Sequence, residues 1–384
     1  MNPIPYGRQS ITDEDIRAVV ETLRSDFLTQ GPEIAAFEDA FAKYVGARYA
    51  VAVSNGTAAL HLSAMAAGVQ SGDNVVVTPT TFTASANCVR YCGGNVAFCD
   101  IDKDSYLLDL DKLKQMLAAK PEGYYKGIVP VDFAGYPVHG EKLREIADRY
   151  NLWIIEDACH APGAWFADSK GEKQFAGNGK FAELTCFSFH PVKHITTGEG
   201  GMITTDSKSL YEKLILYRTH GISKNPDLLS ENHGGWYYEM LELGYNYRLT
   251  DFQAALGVSQ LKRADAGLKR RQEIAARYNE AFKNISGIIT PKVSTDVFHA
   301  YHLYVIQVED RLGLYNHLRK NNIQVQVHYE PVHLQPYYKK SGTQMGNMPV
   351  AEDFYRHCLS LPMYPALTDE EQEYVIEKVK EFVI

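Results

Sequence analysis

The sequence predicts an α/β protein, with a large domain built on a mostly parallel sheet and a smaller α/β domain after it. Short Val- and Ile-rich runs alternate with helical patterns up to about residue 220. The runs are continuously apolar, as in strands covered on both faces, rather than alternating in polarity. Composition then shifts at "NPDLLSENHGGWYYEMLELGYNYR" (225–248), rich in aromatics, Gly and Asn, before helical periodicity resumes.

Taken in order, "YAVAVS" (49–54) precedes the helical "TAALHLSAMAAG", and "NVVVTP" (74–79) precedes "FTASANCVRYCGG". "NVAFCDI" (95–101), "GIVPVDF" (127–133) and "LWIIEDA" (152–158) follow, with the helix "GEKLREIADRYN" between the last two. Strands separated by helices indicate a layered sheet, whose functional residues gather beyond the strands' C-terminal ends. From about Thr250 to Phe282 apolar residues recur at three and four, which predicts one helical region. "YHLYVIQV" and "IQVQVHY" read as strands flanking the helix "LGLYNHLRKNN". Thr368 followed by Glu371 is a capping box opening the last helix. The expected domains are 1–249 and 250–384, with the N-terminal segment free to join the second.

The 384 residues carry a net charge of -8, which argues against a nucleic-acid or anionic-membrane partner. No apolar run approaches the ~18 residues of a membrane span. The N-terminus has no basic region followed by an apolar core, so a cytoplasmic location is expected. The six cysteines form no CxxC pair and read as reduced core thiols, with no metal site.

Three stretches carry chemistry. In "VSNGTAAL" (53–60) a strand turns into a helix, and the amides of Gly56, Thr57 and Ala58 would face an anion with the helix's positive end behind them. An ordinary N-cap would use the same residue types. In "IIEDACHAPGA" (154–164) Glu156 and Asp157 close an apolar strand, where a carboxylate is costly unless paired. Asp157 would stay ionised facing a protonated ring nitrogen, with His160 near the same ligand. The plainer alternative is a turn cap and a satisfied histidine. In "SFHPVKHITTGEGG" (188–201) Lys193 sits between the apolar runs "LTCFSF" and "GMITT". Desolvation lowers a lysine's pKa and makes it a nucleophile toward aldehydes. Ser188 would donate to a phosphate, and the glycines would let the backbone pass close to a bulky ligand. A solvated lysine in a glycine turn is the plainer alternative. Together these are the parts needed to hold pyridoxal phosphate (PLP).

"SNGTAALHL", "TPTTFTASAN", "EDACHAPGA", "SFHPVKHITTGEGGMI", "RTHGI" and "LGYNYRLTDFQAALG" resemble the motifs of the DegT-type sugar aminotransferases, over nearly the whole chain. These are fold-type I PLP enzymes, so the resemblance implies a mostly parallel seven-stranded sheet in the large domain. It makes Lys193 the Schiff-base lysine and Asp157 the partner of the pyridine nitrogen, with His160 beside the ring. Gly56, Thr57 and Ser188 would bind the phosphate, and Phe82 would stack on the ring. Asn246 would reach the neighbouring subunit's cofactor phosphate, which implies a homodimer with shared active sites. A dehydratase branch carries histidine at the lysine position; "HPVK" followed by "TTGEGG" fixes the register on Lys193 and on amino transfer. Pro162 departs from the histidine that many members carry there.

"IQVQVHYEPVHLQPYY" (323–338) resembles the subgroup that aminates UDP-4-keto-6-deoxy-N-acetyl-β-L-altrosamine for pseudaminic acid, with L-glutamate as donor. On that resemblance His328 and Tyr329, together with Tyr6 and with Thr29 in "DFLTQGP" (26–32), border the sugar nucleotide. A Pro/Tyr-rich turn packing the two domains together is the competing reading of the loop. Within the enzyme class the serious alternative is another nucleotide-linked 4-keto sugar, dTDP- or GDP-linked; readings from other classes fare worse. A regulator would need an added DNA-binding module, "HPVKH" puts its histidines in a Pro-containing loop, and Ser188 lacks a Gly-x-Ser-x-Gly turn.

Overall fold

The computed structural model describes residues 3–340 and 348–384. Its main sheet has seven strands: β1 (Tyr49–Val53), β2 (Asn74–Val77), β3 (Asn95–Phe98), β4 (Tyr125–Val129), β5 (Trp153–Asp157), β6 (Leu184–Ser188) and β7 (Gly201–Thr205). Their spatial order is β1-β7-β6-β5-β4-β2-β3. β7 runs antiparallel to both of its neighbours, and every other pairing is parallel. The exception follows from the connection. Residues 189–200 join β6 to β7 without a crossover helix, so the two can neighbour each other only in opposite directions.

Burial explains the continuous apolar strands. Val75–Val77, Ile128, Val129, Ile154 and Ile155 are all buried between helical layers. The helix Gly56–Ala66 is buried almost all round, which is why it shows little apolar stripe. On the opposite face Phe37 and Phe41, from the helix Pro32–Val45, pack on Phe187 and Phe189. Ser188 lies between those two phenylalanines in sequence and therefore points the other way, toward Gly56.

A second core forms around Ile274, Tyr278, Tyr304, Ile306, Leu359 and Val375. Ile4 joins it through a bridge to Ile323. The helix Asp251–Leu261 packs instead on the helices Asp13–Leu23 and Pro32–Val45. Its neighbour, Ala264–Phe282, supplies Ile274 and Tyr278 to the second core.

The single helical region expected over 250–282 is therefore two helices, broken at Lys262 and Arg263. Arg263 leaves helical geometry there and donates to Ser10 O and to the buried Asp15. The strand expected at "IQVQVHY" forms only single bridges, Ile4–Ile323 and Gln326–Ser360. Cys358–Leu361 takes its place beside Tyr304–Val308, and the 323–329 segment is left to run toward the end of the main sheet. The last helix opens as expected, with Thr368 Oγ1 accepting from Glu371 N at 3.1 Å. Among the described residues no helix is long and apolar enough to cross a membrane.

Candidate active site

β1, β5 and β6 end on one edge of the sheet and β7 begins there, so four distant sequence segments meet. After β1, Asn55 caps the helix, its Oδ1 accepting from Ala58 N at 2.8 Å. That uses one of the three amides expected to be free. Those of Gly56 and Thr57 find no partner among the described residues. A Cβ on Gly56 would lie 2.9 Å from Ser188 Cβ and 3.4 Å from Cys159 Sγ. The helix start, the end of β6 and the turn after β5 are thus in contact.

Asp157 is buried at the end of β5. Ser85 Oγ donates to its Oδ2 at 2.5 Å, and Cys159 N to its Oδ1 at 3.2 Å. These donors offset the cost of burying a carboxylate. Glu156 faces the other side of the sheet, accepting from Thr185 Oγ1 at 2.7 Å and Gly177 N at 3.2 Å. Burial pushes its carboxyl above the usual range.

Lys193 is half-buried in the β6–β7 loop, with its backbone N donating to His190 O at 2.8 Å. Burial of the amine lowers its pKa to about 8, against the opposing pull of Cys159 and Asp157. Its Nζ lies 3.4 Å from His302 Nε2. The His160 and His302 rings lie in contact, tilted by 41° with centroids 4.3 Å apart. His160 Nδ1 accepts from Ala134 N at 3.2 Å, which puts its proton on Nε2, 3.3 Å from the Tyr329 hydroxyl. Burial holds His160, His194 and His302 well below the ordinary histidine range, so all are neutral at neutral pH.

Tyr6, His328 and Tyr329 join this group. The Tyr6 and His328 rings are 5.5 Å apart, and His328 Nδ1 lies 2.8 Å from Ser360 Oγ. Phe82 is 60% exposed with its ring 6.4 Å from that of Tyr329, so it still has surface to offer. Beyond Tyr329 the same segment packs on the large sheet's helices and loops: Val332 N donates to Pro79 O at 2.9 Å and Tyr338 to Asn87 Oδ1 at 2.7 Å. Its first part therefore reaches the site, and its second part makes the packing contact. Thr29 and Asn246 lie outside the cluster. Both are exposed, bridged to Thr250 and Thr219 respectively.

Sequence reasoning missed Ser85 and His302. Ser85 stood inside a quoted motif, three residues after Phe82, and its partner was invisible without the fold. The glycine cluster has a different reason from the expected one. Gly201 pairs with Val53 and Ser188 in the sheet, and a Cβ on it would fall 2.5 Å from Asn55 O and 2.9 Å from Gly56 N. Gly201→Ala should therefore displace the helix start, costing about 1–3 kcal/mol in unfolding free energy as read by denaturant titration.

The DegT/DnrJ/EryC1/StrS aminotransferase family model matches residues 9–380. The chain belongs to this family. It is a PLP-dependent sugar aminotransferase. The UDP-4-amino-4,6-dideoxy-N-acetyl-β-L-altrosamine transaminase of Campylobacter jejuni is 37% identical, over 98% of each chain. The GDP-perosamine synthase of Escherichia coli O157:H7 is 35% identical, over 100% of this chain and 99% of that one. Among solved structures, the PLP form of Spr1654 from Streptococcus pneumoniae superposes with a TM-score of 0.89 at 31% identity, covering 99% of this chain and 98% of that one.

The aminotransferase's own residues fit the cofactor. Two unpartnered amides at a helix start, beside the Ser188 hydroxyl, suit a phosphate. A buried carboxylate stabilised by two donors suits a cationic ring nitrogen. A lysine amine held near neutrality suits capture of an aldehyde.

Proposed function

We propose that the enzyme moves an amino group from L-glutamate to C4 of a 4-keto-6-deoxy sugar nucleotide, UDP-4-keto-6-deoxy-N-acetyl-β-L-altrosamine, on the way to pseudaminic acid. The observation that carries amino transfer is the desolvated Lys193 amine at the sheet edge it shares with buried Asp157 and the Gly56–Ser188 contact. The substrate rests on the relative from C. jejuni and on the row of rings Tyr6, His328 and Tyr329, which ends on His160.

Bound PLP supplies an aldehyde that captures amines and a ring that withdraws electrons from the carbon losing its proton. Gly56, Thr57 and Ser188 would hold its phosphate, Phe82 would cover a ring face, and His160 would sit at the ring's edge. Asp157, held in place by its hydrogen bonds from Ser85 Oγ and Cys159 N, would hold the proton on the ring nitrogen. Lys193 Nζ, neutral, would lift the proton from the donor's α-carbon and deliver it to the carbon of the cofactor's aldehyde group, on the far side of the shared nitrogen, acting as base and then acid. With the amine's pKa at about 8, its neutral fraction falls about tenfold per unit below that pH. The sugar half-reaction would use the same residues in reverse order.

A homodimer completes this reading. Leu228, Trp236, Met240 and Leu243 are 57%, 76%, 64% and 73% exposed around the stretch that carries Asn246. Apolar exposure of that density asks for a partner surface. A second copy would cover it, bringing the partner's Asn246 to the phosphate, in a cytoplasmic enzyme.

The test loads the enzyme with glutamate, removes 2-oxoglutarate, and offers UDP-, dTDP- and GDP-linked 4-keto-6-deoxy sugars. The UDP-altrosamine precursor should restore the visible band with the highest kcat/KM. If a dTDP- or GDP-linked sugar wins by about tenfold or more, the substrate assignment is overturned while amino transfer stands.

A further inference from the structure

His302 belongs to no motif read from the sequence, yet its Nε2 lies 3.4 Å from Lys193 Nζ. That is the long end of hydrogen-bond range, as is common before substrate binds. Its other ring nitrogen, Nδ1, is buried and finds no partner among the described residues. The backbone beneath it is pinned by Arg271, 1% exposed, whose Nη1 donates to the carbonyls of Tyr301 at 3.0 Å, His302 at 3.3 Å and Met363 at 3.0 Å. Among the described residues no carboxylate forms an ion pair with Arg271.

We propose that His302 is a positioning residue that holds the Lys193 amine in its neutral, proton-accepting form. The inference deepens the reading of Lys193 as the reacting amine and rests on it. A neutral imidazole has one N–H to place. On Nδ1 it would be a buried donor without an acceptor, a rarer and costlier defect than an unfilled lone pair. The proton therefore sits on Nε2 and points at the lysine nitrogen. There it donates to the lone pair of a neutral amine and cannot accept from an ammonium. When Lys193 takes a proton, the imidazole proton must shift to the orphaned Nδ1 or the contact is lost. The lysine's proton is held weakly in either case and is easily given back.

The surroundings act on the same equilibrium. Burial, and to a lesser extent Arg271, disfavours the ammonium, while Cys159 and Asp157 favour it. His160, His194 and His328 are all held below the ordinary histidine range by burial and add no charge at neutral pH.

Competitive acetylation of the apoenzyme, read by peptide mass mapping across the alkaline range, follows Lys193 without cofactor or turnover. The wild-type midpoint should fall at about 8. In His302→Gln the carboxamide oxygen can turn toward an ammonium at no tautomeric cost. The midpoint should rise by about one unit, roughly a tenfold loss of label at pH 7. His302→Asn offers the same oxygen on a shorter stem and serves if the glutamine variant does not fold. A folded variant with the wild-type midpoint overturns the proposal. Retention of the visible band by Lys193→Ala would instead overturn the underlying reading of Lys193, so the two failures are distinct.

Discussion

Lys193→Ala should lose the visible absorbance of the bound cofactor and at least ~10³-fold of transamination rate. The fold should survive, because the loop's backbone bond from Lys193 N to His190 O does not involve the side chain. Stability should even shift in the variant's favour, with a sign that can be checked. The amine's pKa is about 8 when folded, against ~10.4 in an unfolded chain. Between those values the unfolded state binds more protons, so this group's contribution to stability rises with pH across that window. Below about 8 the cost of burying the charged amine is present in full. Alanine removes that cost, and the variant apoenzyme should melt at or above wild type near neutral pH. The advantage should fade toward pH ~10.4. Thermal melts of the two apoenzymes at several pH values provide the measurement.

Asp157→Asn should keep cofactor binding and slow α-proton removal by about 10²–10³-fold. The carboxamide matches the carboxylate in shape, and its oxygen can still accept from Ser85 Oγ, the 2.5 Å bond of the native site. What it loses is the negative charge that would hold a proton on the ring nitrogen, and with it the electron withdrawal that makes the α-carbon acidic. Single-turnover mixing with glutamate isolates that step. An unchanged rate would remove Asp157 from the role, whereas loss of cofactor binding alone would make it an anchor.

Much of this was legible before the fold was known, and the reasons differ by element. The parallel strands announced themselves because burial on both faces makes them uniformly apolar, as in Val75–Val77 and Ile154–Ile155. Lys193, Asp157 and the Gly56 helix start were visible because each is unusual for its local setting: a lone amine among glycines, a carboxylate closing an apolar strand, a polar turn opening an apolar helix. Contacts that depend on two distant segments were not legible. Ser85 looks like any small residue opening a helix until Asp157, 72 positions later, accepts its proton. His302 falls within "YHLYVIQV", which reads simply as a strand; only the fold brings it to Lys193, 109 positions earlier. The 323–329 segment shows the converse. Its Val and Ile content suggests a strand, but Cys358–Leu361 pairs with Tyr304–Val308 in its place. That leaves His328 and Tyr329 free to face the site.

The covalent anchorage of the cofactor can be tested in one step. Borohydride reduction of the loaded enzyme, followed by proteolysis and peptide mass mapping, should place a single pyridoxyl group on the peptide containing Lys193. A tag on any other lysine, or no tag at all in an enzyme that still shows the visible band, would contradict the assignment of Lys193 and the chemistry built on it.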